Sequence, residues 1–113
     1  MRVAQGAAWV LTEDAAVVGV VVLQFQTNHL FIEILAVAPS HQGRGYGLRL
    51  LDFAEAEARR RGHDETQIHM HLTMTRSIAL YRKHGYTEYA RTEDDGYHRV
   101  YLRKRLREAD ASR

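Results

Sequence analysis

The chain has 113 residues, with 16 Lys or Arg against 14 Asp or Glu for a formal net charge of +2, no cysteine and one proline. That length holds one domain, expected to span residues 1–113 around a single core, and a 45% hydrophobic composition excludes a disordered chain. The lack of cysteine excludes disulfides, thiolate metal sites and cysteine nucleophiles, and the balanced charge gives no argument for nucleic acid.

Ala7 to Thr12 reads as a first strand, turning at Glu13-Asp14. Val17 to Phe25 is a long β-branched run in which Gly19 marks a bulge or a close backbone contact, and the two strands form a hairpin. Asn28-His29 makes the next turn. Leu30 to Val37 follows as a third strand, apolar at every position but Glu33, the pattern of a strand buried on both faces. Ala38-Pro39-Ser40 ends it, because proline cannot continue a central ladder.

The chain then enters a turn with Gly43, Gly45 and Gly47 and continues as a helix to about Arg61. Leu48, Leu51, Ala54 and Ala58 recur on one helical face with Leu50 and Phe53 on its flanks, and Gly62 supplies a left-handed cap after three arginines. Thr66 to Thr73 is a strand with Ile68, Met70 and Leu72 on one face and Gln67, His69 and His71 on the other. Strand, helix, strand implies a parallel crossover. Thr75 to His84 reads as a second helix carrying Ile78, Leu80 and Tyr81 and closing at Gly85. Tyr86 to Arg91 and Tyr97 to Arg105 form a last hairpin across Glu93 to Gly96. The tail, placed at 106–113 and polar from Glu108, is expected to fray. The expected fold is α/β (α+β), a mixed and mostly antiparallel sheet with one β-α-β crossover.

The N-terminus lacks the pattern of a signal peptide, and the longest uncharged run, Ala15 to Ile32, is broken by Gln24, Gln26, Thr27, Asn28 and His29. No membrane partner is expected, and the cytoplasm is the default location. Cations cluster at Arg59-Arg60-Arg61 and from Arg99 to Arg107, where solvated element ends account for them, so no nucleic-acid partner is expected.

The stretch from Leu35 to Leu51 carries the chemistry. Alternating glycines let several backbone N–H groups turn toward one point, and the helix start adds unpaired N–H groups and a positive dipole end. A phosphate or pyrophosphate suits such a cradle, although an ordinary tight loop has the same glycine content. The dinucleotide fingerprint fails, since the glycines read G-x-G-x-G and not G-x-G-x-x-G. The triphosphate loop fails as well, because Leu48-Arg49 stands where Lys-Ser/Thr belongs.

Leu35-Ala36-Val37-Ala38-Pro39, Gln42-Gly43-Arg44-Gly45-Tyr46-Gly47 and Leu50-Leu51, followed by Ala79-Leu80-Tyr81-Arg82-Lys83-His84-Gly85-Tyr86, resemble the two motifs of the GNAT family of N-acetyltransferases, which use acetyl coenzyme A. The resemblance runs from about Val17 to Leu106. It implies a GNAT-like acyl-CoA N-acyltransferase fold and an enzyme that moves the acetyl group of acetyl-CoA to a small-molecule or peptide primary amine by direct attack. It further implies that backbone N–H groups of Gln42, Gly43, Arg44, Gly45, Tyr46 and Gly47 bind the pyrophosphate. Leu35, Ala36 and Val37 would meet the pantetheine arm, with Ser77 also on the coenzyme. A tyrosine placed like Tyr81 would protonate the departing thiolate.

Attack by an amine requires a base, a polarised carbonyl and a proton for the leaving thiolate. Glu33, out of keeping with its apolar strand, is a candidate base, and similar family members carry a glutamate on that strand. His69, deeper in its strand than His71, is the first histidine candidate. Each has a plainer reading: Glu33 as a paired strand residue, the histidines as structural, Tyr81 as a core tyrosine beside Ile78. No metal is expected, since His69 and His71 lack an evident third ligand.

Two features depart from the family pattern. Only about six residues precede the first hairpin, where the family usually has a strand and two helices, so an N-terminally minimal version of the fold is expected, as a naturally minimal domain, a truncated reading or a protomer completed by a partner, and a homodimer is expected to cover the exposed edge and apolar face. Met74 stands where asparagine is common, leaving Thr73 or Thr75 to cap the second helix. These departures favour the alternative function, a non-catalytic acyl-CoA-binding or regulatory module.

Overall fold

The computed structural model describes residues 6–106. In chain order these form β1 (Gly6–Glu13), β2 (Ala16–Phe25), β3 (Leu30–Val37), α1 (Tyr46–Arg60), β4 (Glu65–His71), α2 (Thr75–Lys83), β5 (Thr87–Asp94) and β6 (Tyr97–Arg105), with a 3-10 turn at Pro39–His41. Each predicted element is present. The largest boundary change is in β5, which runs to Asp94 because the final turn is shorter than its composition suggests. Asp95 and Gly96 take φ of +55° and +81°, the two-residue geometry that matches strand twist, so Glu93 and Asp94 pair with His98 and Tyr97.

The β1–β2 turn has the same shape, from Asp14 at φ +52° and Ala15 at φ +68°. A β-carbon in that region costs about 1–2 kcal/mol, while glycine loses about 0.5–1 kcal/mol in chain entropy. Ala15→Gly is therefore expected to stabilise the fold by about 0.5–1 kcal/mol, seen as a higher urea midpoint at unchanged slope.

The strands form one sheet in the order β1-β2-β3-β4-β6-β5. β3 and β4 are parallel, as the α1 crossover requires, and the other neighbours are antiparallel. Gly19 fulfils both expectations placed on it. The register skips Val18 beside it, and a β-carbon on Gly19 would lie 3.1 Å from Leu50 Cδ1, so its absence lets α1 settle against β2.

The core lies on one side of the sheet. Leu50, Leu51, Ala54 and Ala58 of α1 and Tyr81 of α2 share it with Val21, Leu23, Leu30, Ile32, Ile68, Met70, Val100 and Leu102. Fully burying a residue such as Leu51 is worth about 2 kcal/mol. Leu106, assigned to the fraying tail, is buried in this core, and its N–H donates to the Asp64 carbonyl at 2.7 Å. The rest of that tail lies outside the described residues.

The expectation that β3 is buried on both faces is corrected. Glu33, Ile34 and Ala36 are exposed and Phe31 is half-buried, because both helices pack on the opposite side. The uncovered face presents Phe31, His69 and Tyr101 side by side, with ring centroids 5.1 and 5.5 Å apart. Under α1, Glu55 is buried at 5% exposure; Tyr86 Oη donates to its Oε2 at 2.9 Å and Lys104 Nζ to its Oε1 at 3.0 Å. Since the Tyr86 proton is committed to Glu55, the Thr66 hydroxyl 2.7 Å away donates to Tyr86. Burial, reinforced by the Glu55 charge, holds the Tyr86 phenol far above its ordinary range.

Candidate functional site

The site begins where the sheet comes apart. β3 and β4 pair only over Leu30–Ile32 against Thr66–Ile68. Just beyond, the β2–β3 register skips Glu33, a bulge that increases local twist and turns the end of β3 away from β4. The Ala38 N–H bonds back to the Val18 carbonyl of β2 at 2.8 Å. Because successive residues alternate their polar groups between the two edges of a strand, the N–H and C=O groups of Leu35 and Val37 face the gap instead. The Val37 carbonyl receives the Gln42 side-chain amide there at 3.0 Å.

Two cavities meet at this gap. The larger, about 550 Å³, runs from Leu35, Ala36 and Val37 past Gln42 and the turn glycines to Ser77 and Tyr81. Gly43 and Gly45 have φ of +82° and +85°, and Gly45 is the N-cap of α1. The first intrahelical donor is the Arg49 N–H, to Gly45 O at 3.1 Å, which leaves the N–H groups of Tyr46, Gly47 and Leu48 without helical partners. A β-carbon at Gly43, Gly45 or Gly47 would meet no protein atom within 4 Å. For Gly47, already inside the helix with ordinary φ, nothing in the protein calls for glycine.

Arg44 and Tyr46, expected beside these glycines, do not line the cavity with their side chains. Tyr46 Oη donates to Glu13, and His41 Nε2 lies 3.8 Å from the same carboxylate, so the turn is tied to the end of β1. The Tyr46 hydrogen bond holds the Glu13 carboxyl below its ordinary range.

The smaller cavity, about 270 Å³, passes through the gap to the helix-free face and brings together Glu33, His69, His71 and Tyr97. Tyr81, Leu35, Met74 and Ser77 border both cavities, so Tyr81 stands at their junction. Its ring meets Tyr86 edge-on at 5.5 Å, and burial pushes its pKa up to about 12, which keeps it a proton donor at neutral pH.

Glu33 accepts a 2.6 Å hydrogen bond from the Gln24 amide. His69 is enclosed between Phe31 and Tyr101, with Nδ1 cut off from solvent and unpartnered; burial first and the Arg99 charge second depress its pKa, against the pull of Glu33. The ring is therefore neutral near pH 7. The neighbouring His71 differs. Its Nδ1 accepts the Thr73 backbone N–H at 3.1 Å, so in the neutral ring the proton sits on Nε2 and His71 faces its surroundings as a donor.

The Thr73 hydroxyl is also engaged with His71 Nδ1, at 2.8 Å, and the N-cap of α2 is Met74 with no side-chain cap bond. This corrects the expected threonine cap. Sequence reasoning missed Tyr97, because only the pairing of β6 with β4, which sets Arg99 opposite His71, brings the ring two residues before Arg99 against His71 at 4.5 Å. Among the described residues no three His, Asp or Glu side chains converge, and no helix is long and apolar enough to cross a membrane.

A sequence model of the acetyltransferase (GNAT) family matches residues 2–86. Over 78 residues the chain is 32% identical to mycothiol acetyltransferase of Jonesia denitrificans, covering 67% of this chain but only 25% of that protein, so it spans about a quarter of that relative's length. The crystal structure of nourseothricin acetyltransferase superposes with a TM-score of 0.82 at 26% identity, over 91% of this chain and 66% of that one. A GNAT family acetyltransferase from Elizabethkingia anophelis, solved with acetyl-CoA bound, gives a TM-score of 0.80 at 19% identity over 91% and 78% of the two chains, a likeness of fold alone.

Proposed function

The chain belongs to the acetyltransferase (GNAT) family, and we propose that it transfers the acetyl group of acetyl-CoA to a primary amine by direct attack. One observation carries this reading: a glycine cradle at a helix N-terminus opens into a cavity that ends at a protonated, buried tyrosine between two splayed strands. Acetyl-CoA supplies the activated acetyl thioester.

The N–H groups from Gln42 to Gly47 hold its pyrophosphate, where the α1 dipole favours negative charge. Leu35 and Val37 offer gap-facing N–H groups to the pantetheine arm and the reacting carbonyl, with Ala36 and Ser77 closing the wall. Glu33 accepts the proton of the amine, directly or through water. His69, kept neutral by its burial, is the second candidate for that step, whereas the donor tautomer of His71 leaves no basic nitrogen toward the cavity. Tyr81 gives its Oη proton to the departing thiolate. In this reading the acceptor is a small-molecule or peptide amine. The outer edge of β1, uncharged from Gly6 to Thr12, supports the expectation of a homodimer.

Gly47 provides the test. Helical glycine costs about 0.5–1 kcal/mol against alanine, so Gly47→Ala is expected to raise the melting temperature. Its methyl group would stand in the coenzyme's approach, and losing one charge-assisted bond of about 1.5–3 kcal/mol weakens acetyl-CoA binding roughly tenfold to a hundredfold by calorimetry. Wild-type protein that binds no acetyl-CoA at high concentration would sink the proposal.

A further inference from the structure

We infer that the acceptor is a hydrophobic monoamine, one ammonium group on an apolar aryl or alkyl body without a second charge, and that the smaller cavity holds it with its amine at Glu33. The inference rests on the acetyl-transfer reading and names the substrate class of that same site.

The mouth of this cavity is apolar although it faces solvent. Ile34, Met74 and Tyr97 border it and are 46%, 47% and 44% exposed. They come from β3, the N-cap of α2 and the first residue of β6, so only the fold brings them together. Exposed apolar side chains that gather from separate elements around one opening mark a binding surface. Further in, Leu35, Ile68 and Met70 continue the apolar lining, and the last two are buried.

The charges are equally selective. Glu33 is the one carboxylate that lines the cavity, and among the described residues no lysine or arginine lines it. Arg99 stands outside the lining, where the hydroxyls of Tyr101 and Tyr97 favour its charge. An ammonium group on the acceptor therefore meets a counter-ion, whereas a carboxylate would meet none and would face Glu33. A second ammonium group would be left unpaired among isoleucine and methionine side chains, which is costly. Methionine suits an apolar body of either kind, since its unbranched thioether adapts in shape and makes favourable contacts with aromatic rings. A cavity of about 150 Å³ holds a benzene ring, so one of about 270 Å³ takes a single ring on a short aminoalkyl chain.

The experiment compares matched acceptors: phenylethylamine with phenylalanine, hexylamine with diaminopentane of equal chain length, and hexylamine with butylamine. Rates are measured with acetyl-CoA, and each compound is titrated calorimetrically into protein loaded with coenzyme A, so that binding is read even where no product forms. On wild type, each apolar amine is expected to be favoured over its doubly charged match by about tenfold or more in KM or Kd. Hexylamine is expected to be favoured over butylamine by about tenfold, at about fourfold per buried methylene. Ile34→Thr keeps the β-branch and Met74→Asn is favourable at an N-cap, so both are expected to fold and to reduce the hexylamine advantage about twofold or more. Phenylalanine or diaminopentane handled as well as its apolar match, a hexylamine advantage that is absent in wild type or unchanged in both variants, or no apolar amine bound at all, with acetyl-CoA still bound, overturns this inference alone. Absence of acetyl-CoA binding overturns it together with the reading it rests on.

Discussion

Tyr81→Phe is expected to lower kcat about a hundredfold while leaving acetyl-CoA affinity unchanged. The substitution keeps the ring that meets Tyr86 edge-on at 5.5 Å and removes one oxygen, so packing is conserved and the readout isolates the hydroxyl. That hydroxyl has no hydrogen-bond partner among the described side chains, although Tyr81 is only 5% exposed and borders both cavities. A core tyrosine ordinarily satisfies its hydroxyl within the protein, as Tyr86 does with Glu55 and Thr66. The acetyl-transfer reading assigns the Tyr81 hydroxyl to the ligand. Burial holds its pKa at about 12, so the acid form is fully populated at neutral pH and the rate loss should be constant from about pH 6 to 9. Pre-steady-state and steady-state rates on the same acceptor separate this loss from product release, and an unchanged kcat would return Tyr81 to the core.

Glu55→Ala is expected to destabilise the fold by about 3 kcal/mol, the largest loss foreseen for a residue outside the site. The carboxylate joins α1 to β6 through Lys104 and to the start of β5 through Tyr86. Its removal strands a cation at 25% side-chain exposure and a buried phenol together, and it leaves a cavity under the helix. The double variant Glu55→Ala/Lys104→Met should regain part of the loss, since the uncompensated charge goes too. Urea unfolding at pH 7 measures both. A loss in the single variant below about 1 kcal/mol would mean that water substitutes for the carboxylate and that the network contributes little.

The strands and helices were legible because their signals are local. The run from Leu30 to Val37 and the final strand from Tyr97 to Arg105 fall where their composition places them, and the glycine turn is readable because its backbone angles depend on residues within the turn. Which face is covered is not a local property. β3 looks doubly buried in sequence, yet its apolar outer positions Ile34 and Ala36 face an open side. Glu55 reads as a solvated helix residue because its partners Tyr86 and Lys104 are 31 and 49 positions away. The same limit applies to the site: Glu33, His69 and Tyr81 stand out by type and motif, whereas Tyr97 becomes visible only when the fold sets its ring against His71. Neither Thr73 nor Thr75 caps α2: Met74 is the N-cap without a side-chain bond, and the Thr73 hydroxyl pairs with His71.

The interrupted sheet also has a mechanical meaning. With β3 and β4 joined over only three residue pairs, the sheet is two leaves, β1–β3 and β4–β6, and α1 packs on strands of both. The helix therefore acts as a splint that sets the opening angle between the leaves. Its N-terminus, capped by Gly45 and carrying Gly47 in the first turn, is also one side of the glycine cradle. In the acetyl-CoA reading, the helix that offers its N-terminus to the ligand is therefore also the one that bridges the two leaves beside the gap.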